Sequence, residues 1–163
     1  MPGADRKLLS SLLDLAWRTV FRLGFPLARL CWRLQRRTHE GALVAVTVDR
    51  ALLLVRASYR AEWSFPGGGV RRGEAPEAAA RRELAEETGL VAAALRPAGV
   101  ACGVWDGRPD RVHFFSLHLD QLPALQLDNR EIIATRLVLP DDLSGLALTG
   151  PVAAYLGRPA VLA

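Results

Sequence analysis

Lysine and cysteine are scarce in this sequence. Of the 21 basic residues only Lys7 is a lysine, a bias that we attribute to genome composition rather than to chemistry. The 2 cysteines, Cys31 and Cys102, are far apart and match no spacing typical of a metal site or a redox motif. This indicates a reduced intracellular protein and predicts a cytoplasmic location.

Long apolar runs are missing from residues 1–37, although this segment is rich in leucine. The uncharged stretch Leu8–Leu13 is far short of the about 20 residues that a helix needs to cross a bilayer. Asp14 and Arg18 interrupt any apolar core of a signal peptide, and no small-residue cleavage site follows. The segment therefore predicts neither a transmembrane helix nor a cleaved signal.

What the sequence does contain is enough apolar surface for one globular domain, with an uneven distribution of charge. The chain has 163 residues, of which 50% are hydrophobic and 23% are charged. Residues 1–37 carry eight basic and two acidic side chains, net +6, and residues 38–163 carry 13 and 15, net −2, which together give +4. We therefore predict a basic helical extension over residues 1–37 and a separate domain over residues 38–163.

The extension has three interpretations. It is apolar with an Arg every few residues, and Gly24-Phe25-Pro26 predicts a break between two helices. A helical hairpin packed on the domain, or on a second subunit in a homodimer, is favoured over an interfacial helix on anionic lipid, with Trp17 and Trp32 at headgroup depth. A nucleic-acid contact is least favoured. The leucines of the predicted apolar stripe are Leu8, Leu12, Leu15 and Leu23.

The remainder of the chain alternates strand-like and helix-like segments. Asp49-Arg50 predicts a tight turn, Pro76 the first turn of a helix and Gly89 its C-terminal cap. "WDGRPD" (105–110) predicts a loop. These elements indicate a mixed sheet between helices. The predicted strands are Ala42–Val48, Ala51–Arg56, "EWSF" (62–65), Ala98–Val104, Arg111–Leu119 and Ile132–Leu139, and a last helix is predicted over Val152–Leu156.

Three acids gather on the predicted central helix. Glu86 and Glu87 fall within about 60° on either side of Glu83, beside the apolar sector. Like charges at these spacings repel, and the helix dipole disfavours anions near the C-terminal end, so a solvated face explains the cluster poorly. Hard oxygen ligands grouped in this way suit Mg²⁺ or Mn²⁺. The preceding Gly67–Gly69 allows the backbone to approach a ligand closely.

These residues resemble the Nudix family. Gly68, five residues, Glu74, seven residues, and "RELAEETGL" from Arg82 to Leu90 are similar to a complete Nudix box of 23 residues. The flanking strand pattern from Gly41 to Leu143 also resembles the Nudix fold. The resemblance implies an α/β fold, an α/β/α sandwich around a mixed sheet. It also implies Mg²⁺- or Mn²⁺-dependent hydrolysis of a nucleoside diphosphate linked to another group, a nucleotide-derived small molecule.

The resemblance also implies roles for individual residues. Glu83, Glu86 and Glu87 are expected as metal ligands, with Glu83 acting in some members as the base instead. Arg82 is expected to orient Glu83, and the carbonyl of Gly67 is expected as a further ligand. Glu74 is expected to link the glycine loop to the helix.

Further candidates lie outside the box. Many family members carry an acid six positions before a tryptophan that starts a strand, and here Glu131 precedes Leu137 by six. Glu131 is thus a candidate metal ligand or base, with a surface acid at a strand end as the alternative. Arg56 and Arg60 are candidates for binding substrate phosphate, or else solvated charges. Gly68 and Gly69 are expected to approach the substrate.

Substrate identity is not encoded in the box, and the markers of ADP-ribose, NADH and coenzyme A subfamilies are missing. Tyr59, Trp63, Phe65 and Trp105 could stack on a base, although core packing is favoured. The three histidines form no ligand spacing and are expected to be structural. Two functions remain: an active Mg²⁺-dependent pyrophosphohydrolase, or a non-catalytic Nudix-fold module that binds a nucleotide or a partner. The intact box favours the enzyme.

Overall fold

A mixed β-sheet organises the chain in this computed structural model, which describes residues 13–26, 38–127 and 130–157. The strands are β1 (His39–Val48), β2 (Ala51–Ala57), β3 (Gly67–Gly69), β4 (Arg96–Trp105), β5 (Arg108–Leu119) and β6 (Ile132–Val138). The helices are α1 (residues 13–26), α2 (Pro76–Thr88) and α3 (Gly150–Tyr155), with a 3₁₀ turn over Pro140–Gly145.

The sheet has the strand order β4-β5-β1-β2-β6. Strands β1 and β5 run parallel along their whole length, and the other pairs are antiparallel. Helix α2 packs on one face and α3 on the other, so β1 is covered on both sides. This accounts for its nearly continuous apolar sequence, since a strand buried on both faces does not alternate. The predicted α/β/α arrangement is confirmed.

Each face of the sheet has its own apolar core. The core under α2 joins Val44 and Val46 to Ala80 and Leu84 of the helix. The core on the opposite face joins Leu43 and Ala45 to Phe65, Phe114, Leu148 and Val152. The alternation along β1 between these two cores fixes which of its side chains lie on each face.

Strands β1 and β2 separate soon after the turn that joins them. Their paired residues are Thr47 with Leu52 and Val48 with Ala51. Further along, the same edge of β1 pairs with β3 instead, where Leu43 lies opposite Gly67. The glycine strand β3 therefore occupies the opening between β1 and β2, and a cavity lies at this opening.

Most of the predicted elements are confirmed within a few residues. Helix α2 begins at Pro76, and Gly89 caps it in the left-handed region at φ 75°. Two predictions are wrong. Residues Trp63 and Ser64 of "EWSF" form only isolated bridges. "WDGRPD" is mostly strand, because Asp106-Gly107 alone makes the turn of a tight hairpin between β4 and β5.

Helix α1 is described only as far as residue 26. It includes Gly24 and Phe25, and the second helix predicted after Gly24-Phe25-Pro26 lies outside the described residues. The side chains of Leu15 and Leu23 are exposed, because the helix packs through Phe21 and Phe25 instead. Among the described residues, no helix combines the length and the apolar character required to cross a membrane. The predicted positions Leu8, Leu12 and Trp32 lie outside the described residues.

Candidate active site

A cavity of about 600 Å³ lies where β1 and β2 separate. Its walls come from α1, the ends of β1 and β2, the glycine strand β3, helix α2, the β4–β5 hairpin and the loop before β6. The charged side chains that line it include Arg60, Glu83, Glu87, Asp106, Arg108, Asp110 and Glu131.

Helix α2 delivers two of the predicted glutamates to this cavity. The sequence specifies the helix with proline in its first turn and a glycine cap whose N–H bonds to the carbonyl of Ala85 at 2.9 Å. Leu84 is buried against the sheet, and Glu83 and Glu87 project together from the adjacent sector of the helix, about 100° and 60° from Leu84, so both face the cavity. Glu87 is only 7% exposed, whereas Glu86 is 55% exposed and lies outside the cavity lining.

The register of the glycine strand leaves polar groups for α2. Val44 N–H donates to the carbonyl of Pro66. Because residues in an antiparallel pair alternate between bonded and non-bonded positions, the backbone N–H and C=O groups of Gly67 and Gly69 point away from β1. The N–H of Gly67 donates to Glu87 Oε2 at 2.8 Å, and the carbonyl of Gly69 accepts from Arg82 Nη2 at 3.2 Å. The backbone of β3 thereby orients both the carboxylate of Glu87 and the guanidinium of Arg82.

Two of these positions require glycine because of close approach. A Cβ on Gly68 would lie 2.7 Å from Glu83 Cδ, so the strand backbone and this carboxylate are in direct contact. Gly67 has φ 140°, and a Cβ there would overlap the carbonyl oxygen of Ala42. Any side chain at Gly68 would displace Glu83, whereas one at Gly67 would collide with β1 itself.

Arg82 connects the acids around the helix. Its guanidinium donates two bonds of 2.9 Å to Glu74, one of 2.5 Å to Glu83 Oε1 and one of 3.4 Å to Glu86. The bidentate bond from Arg82, followed by the backbone N–H of Arg71, lowers the pKa of Glu74 to about 2. The same bond from Glu74 raises the pKa of Arg82, which remains protonated. Glu74 thus links loop and helix, as predicted.

Glu131 enters from the loop before β6. Its backbone carbonyl accepts from Ser58 N–H at 2.7 Å, and its Oε1 accepts from the hydroxyl of Tyr59 at 2.9 Å. The loop after β2 therefore holds both the main chain and the side chain of Glu131, and places it in the same cavity as Glu83 and Glu87.

Comparison with known proteins gives the family. The family model described as "NUDIX domain" matches residues 37–156. The chain belongs to the Nudix family. The match excludes helix α1, which precedes residue 37.

Individual Nudix relatives match over shorter stretches or at lower identity. An RNA pyrophosphohydrolase of Saccharophagus degradans is 37% identical over 67 residues, which are 41% of this chain and 39% of that protein. The chain therefore spans less than half the length of this relative. A MutT NUDIX hydrolase from Burkholderia pseudomallei has a TM-score of 0.66 at 23% identity, over 75% of this chain and 98% of that one. A C. elegans Ap4A hydrolase has a TM-score of 0.59 at 23% identity, over 74% and 92%. The structural matches show the shared fold alone.

The acids of the Nudix box fit a divalent cation in chemistry. Among the described residues, no three acidic, histidine or cysteine side chains enclose a metal ion in their present rotamers. Glu83, Glu87 and Glu131 nevertheless face one cavity. Because Gly68 has no side chain, the backbone of the glycine strand lies directly against Glu83. Carboxylates and peptide carbonyls are the ligands that Mg²⁺ and Mn²⁺ prefer.

Only one of the two arginines predicted to bind substrate, Arg56 and Arg60, lines the cavity. Arg60 lines the cavity and pairs with Asp106 at 2.5 Å. Arg56 does not line it, because Val55 and Ala57 on either side face the cavity and strand alternation turns Arg56 to the opposite face. Its guanidinium there lies 5.1 Å from the ring centroid of Trp63. Arg56 therefore lies outside the lining of this cavity, and its role in binding substrate stays a prediction. Gly68 and Gly69 line the cavity, as predicted.

Sequence reasoning missed a second charged group in the cavity. Asp110, which is 7% exposed, lies 3.0 Å from Arg108 Nε and 3.2 Å from His39 Nδ1. Burial lowers the pKa of Arg108, and the charge of Asp110 opposes this effect. Interpreting Asp106-Gly107 as a hairpin turn would have revealed the group, because Arg108 and Asp110 then share one face of β5 at a period of two, next to Asp106 in the turn.

The aromatic candidates also divide. Phe65 is fully buried in the core, and Trp63 is partly buried and packs against it. Tyr59 and Trp105 line the cavity. Of the histidines, His39 lines the cavity beside Asp110, and His113 pairs with Glu40 at 3.1 Å.

Proposed function

We propose that this protein hydrolyses a phosphoanhydride bond in a nucleoside diphosphate linked to another group, with Mg²⁺ or Mn²⁺. The observation that carries the proposal is the convergence of Glu83, Glu87 and Glu131 on one cavity, bordered by a strand of glycines. Such a cavity has carboxylates for cations on one side and bare backbone against which a diphosphate can lie.

The proposed cation ligands are the carboxylates of Glu83, Glu86 and Glu87 on α2 and the carbonyl of Gly67. When bound, the cation would draw charge from the phosphate oxygens and make a coordinated water more acidic. Arg82 keeps the carboxylate of Glu83 in one orientation through its 2.5 Å bond, and the N–H of Gly67 does the same for Glu87. Fixed ligands lower the reorganisation required during the reaction.

Glu131 is the better candidate for the general base. Glu83 Oε1 is clamped by Arg82, and the backbone of Gly68 lies against its carboxyl carbon. A clamped carboxylate suits a fixed ligand, whereas a base needs an oxygen that faces the attacking water. Glu131 is held by the neutral hydroxyl of Tyr59 instead. We therefore assign Glu131 to accept the proton from water, and Glu83 to bind the cation.

The activity is tested with the full-length protein, Mg²⁺ and a panel of nucleoside diphosphate derivatives. Since related proteins are named RNA pyrophosphohydrolase and Ap4A hydrolase, the panel includes 5′-triphosphorylated RNA and diadenosine tetraphosphate. Glu87→Gln should lower turnover by ~100-fold or more, since changing even an indirect partner of a metal ligand costs ~10–100-fold. Glu77→Gln, on the same helix outside the cavity lining, is the matched control and should retain activity. Absence of turnover with every compound would favour the non-catalytic module.

The base assignment needs a different comparison. Glu131→Gln should lower kcat by ~10²–10⁴-fold and leave the Mg²⁺ concentration for half-maximal activity unchanged. Glu83→Gln should instead raise that Mg²⁺ concentration. The reverse pattern would make Glu83 the base.

We also propose that α1 contacts anionic lipid through its outward face. Leu15 and Leu23 are 58% and 74% exposed, and Trp17 is 47% exposed. An amphipathic helix with exposed Leu and Trp and a basic surrounding sequence suits a lipid interface. A homodimer that buries the same face is the competing arrangement, and vesicle binding separates the two.

A further inference from the structure

Helix α1 lies across one end of the candidate active-site cavity. Its Phe25 ring stacks on Tyr59 with centroids 4.7 Å apart, and Phe21 contacts the same ring at 6.1 Å. Arg22 Nε donates to the carbonyl of Ser58 at 3.0 Å, and Asp14 pairs with Arg130 at 3.1 Å. Aromatic, hydrogen-bonded and ionic contacts thus hold α1 against the two loops that position Glu131.

This packing makes α1 part of the cavity wall. Val20, Phe21, Gly24 and Phe25 line the same space as Glu83, Glu87 and Glu131. The helix precedes residue 37 and so lies outside the region that the family match covers. The wall is therefore a property of this chain and not of the Nudix box.

The end of the cavity near α1 differs in chemistry from the acidic end. Arg60 lies 4.6 Å from the centroid of Phe25, but its charge is paired with Asp106. Arg108 is likewise paired with Asp110. Because both arginines face aspartates, this end offers little net positive charge to a further phosphate.

A third aromatic ring lines the same cavity. The indole of Trp105 is held tightly, since a Cβ on Gly103 or Gly150 would come within 2.6 Å of the ring. The rings of Phe25, Tyr59 and Trp105 therefore give the cavity wall an aromatic surface, which suits an uncharged apolar or aromatic group.

We propose that α1 completes the substrate pocket, and that Phe25, supported by Phe21, selects an uncharged aromatic or apolar group on the diphosphate. This selection rests on the proposed function, because it assigns one end of the same substrate. It accounts for the position of a helix that lies outside the family match, over residues 37–156, against the cavity that contains Glu83, Glu87 and Glu131.

The test compares ligands that differ only in the group carried by the diphosphate. Benzyl and methyl esters of methylenediphosphonate, which cannot be hydrolysed, are titrated with Mg²⁺ into full-length protein by calorimetry. We expect the benzyl ester to bind ~10-fold or more tightly than the methyl ester. Phe25→Ala should weaken binding of the benzyl ester far more than binding of the methyl ester and so remove most of this preference, and Phe25→Leu should retain part of it.

Matched controls separate selection from folding. Leu23→Ala alters an exposed neighbour on the same helix and should keep the benzyl preference. Circular dichroism establishes that each variant is folded, and Phe25→Leu decides the question if Phe25→Ala is not. Equal binding of both esters by the wild type, or an unchanged preference in folded Phe25 variants, would overturn the selection.

The outcome is separable from that of the proposed function. Calorimetry requires no turnover, so a benzyl preference that depends on Phe25 would support the pocket even in a protein that hydrolyses nothing. Conversely, Glu87-dependent hydrolysis without any effect of Phe25 would leave the hydrolase intact and remove α1 from the pocket. If neither ester binds, the selection by Phe25 is overturned.

Discussion

The hydroxyl of Tyr59 donates a 2.9 Å hydrogen bond to Glu131, so the residue on which α1 packs also holds the proposed base. Burial of the phenol, and then the negative charge of Glu131, raise the pKa of Tyr59. The hydroxyl therefore keeps its proton and remains a donor at neutral pH. Phe25 stacks on the same ring at 4.7 Å, which connects the N-terminal helix to Glu131 through one side chain.

Tyr59→Phe should lower kcat by ~10-fold with little change in KM, because it removes the donor that orients Glu131 and leaves the ring in place. Steady-state kinetics on the best substrate of the panel measure the change. In a Glu131→Gln background the same substitution should have almost no further effect, since the two residues act as one unit. An equal loss in both backgrounds would show that Tyr59 acts elsewhere.

Two neighbouring glycines should respond differently to alanine. Gly68→Ala places a methyl 2.7 Å from the carboxyl of Glu83, which can swing away, so we expect a loss of activity with little change in Tm. Gly67→Ala collides with the carbonyl of Ala42 and should mainly destabilise the fold. Thermal melts and activity assays on both variants test this contrast. Gly145→Ala, which meets nothing within 4 Å, is the control.

The sequence predicts the elements whose signals are local. Pro76 and Gly89 mark the ends of α2. The helical spacing of Glu83 and Glu87 predicts that both acids lie beside the apolar sector of Leu84, at the edge of the core. Glu131 was indicated by the family resemblance, through its spacing of six residues to Leu137. These features depend on neighbours along the chain, so a single sequence contains them.

The remaining features depend on contacts between distant segments. Arg56 lies outside the cavity lining because the opposite face of β2 borders the gap beside β1. The sequence of β2 alone does not specify which face borders this gap. The packing of Phe21 and Phe25 on Tyr59 joins residues more than 30 positions apart. The leucine stripe therefore does not mark the face through which α1 packs on Tyr59, since hydrophobicity alone does not distinguish an aromatic contact from an exposed apolar surface.

The Glu74–Arg82 pair should make stability depend on pH at the acid end. The pKa of Glu74 is lowered from 4.5 to about 2, so its contribution is present above about 4.5 and is lost as pH falls toward 2. Glu74→Gln should therefore be less stable than wild type at neutral pH, and the difference should narrow across this interval. Urea unfolding between pH 2 and 7 measures it. When Arg82→Gln is already present, adding Glu74→Gln should change the free energy of unfolding little at any pH.

The outward face of α1 should govern binding to anionic vesicles. Trp17→Glu with Leu23→Glu places charge on two exposed apolar positions, and each lost apolar contact with lipid should weaken binding by ~10-fold. Co-sedimentation with phosphatidylserine vesicles measures the effect at low and high salt, where wild-type binding should fall as salt rises. Val91→Glu with Val100→Glu makes the same change in charge on exposed positions of the domain and should leave binding unchanged. Equal pelleting of all three proteins would exclude the lipid contact. A wild-type dimer in size-exclusion chromatography that the α1 variant dissociates would instead assign this face to a second copy of the chain.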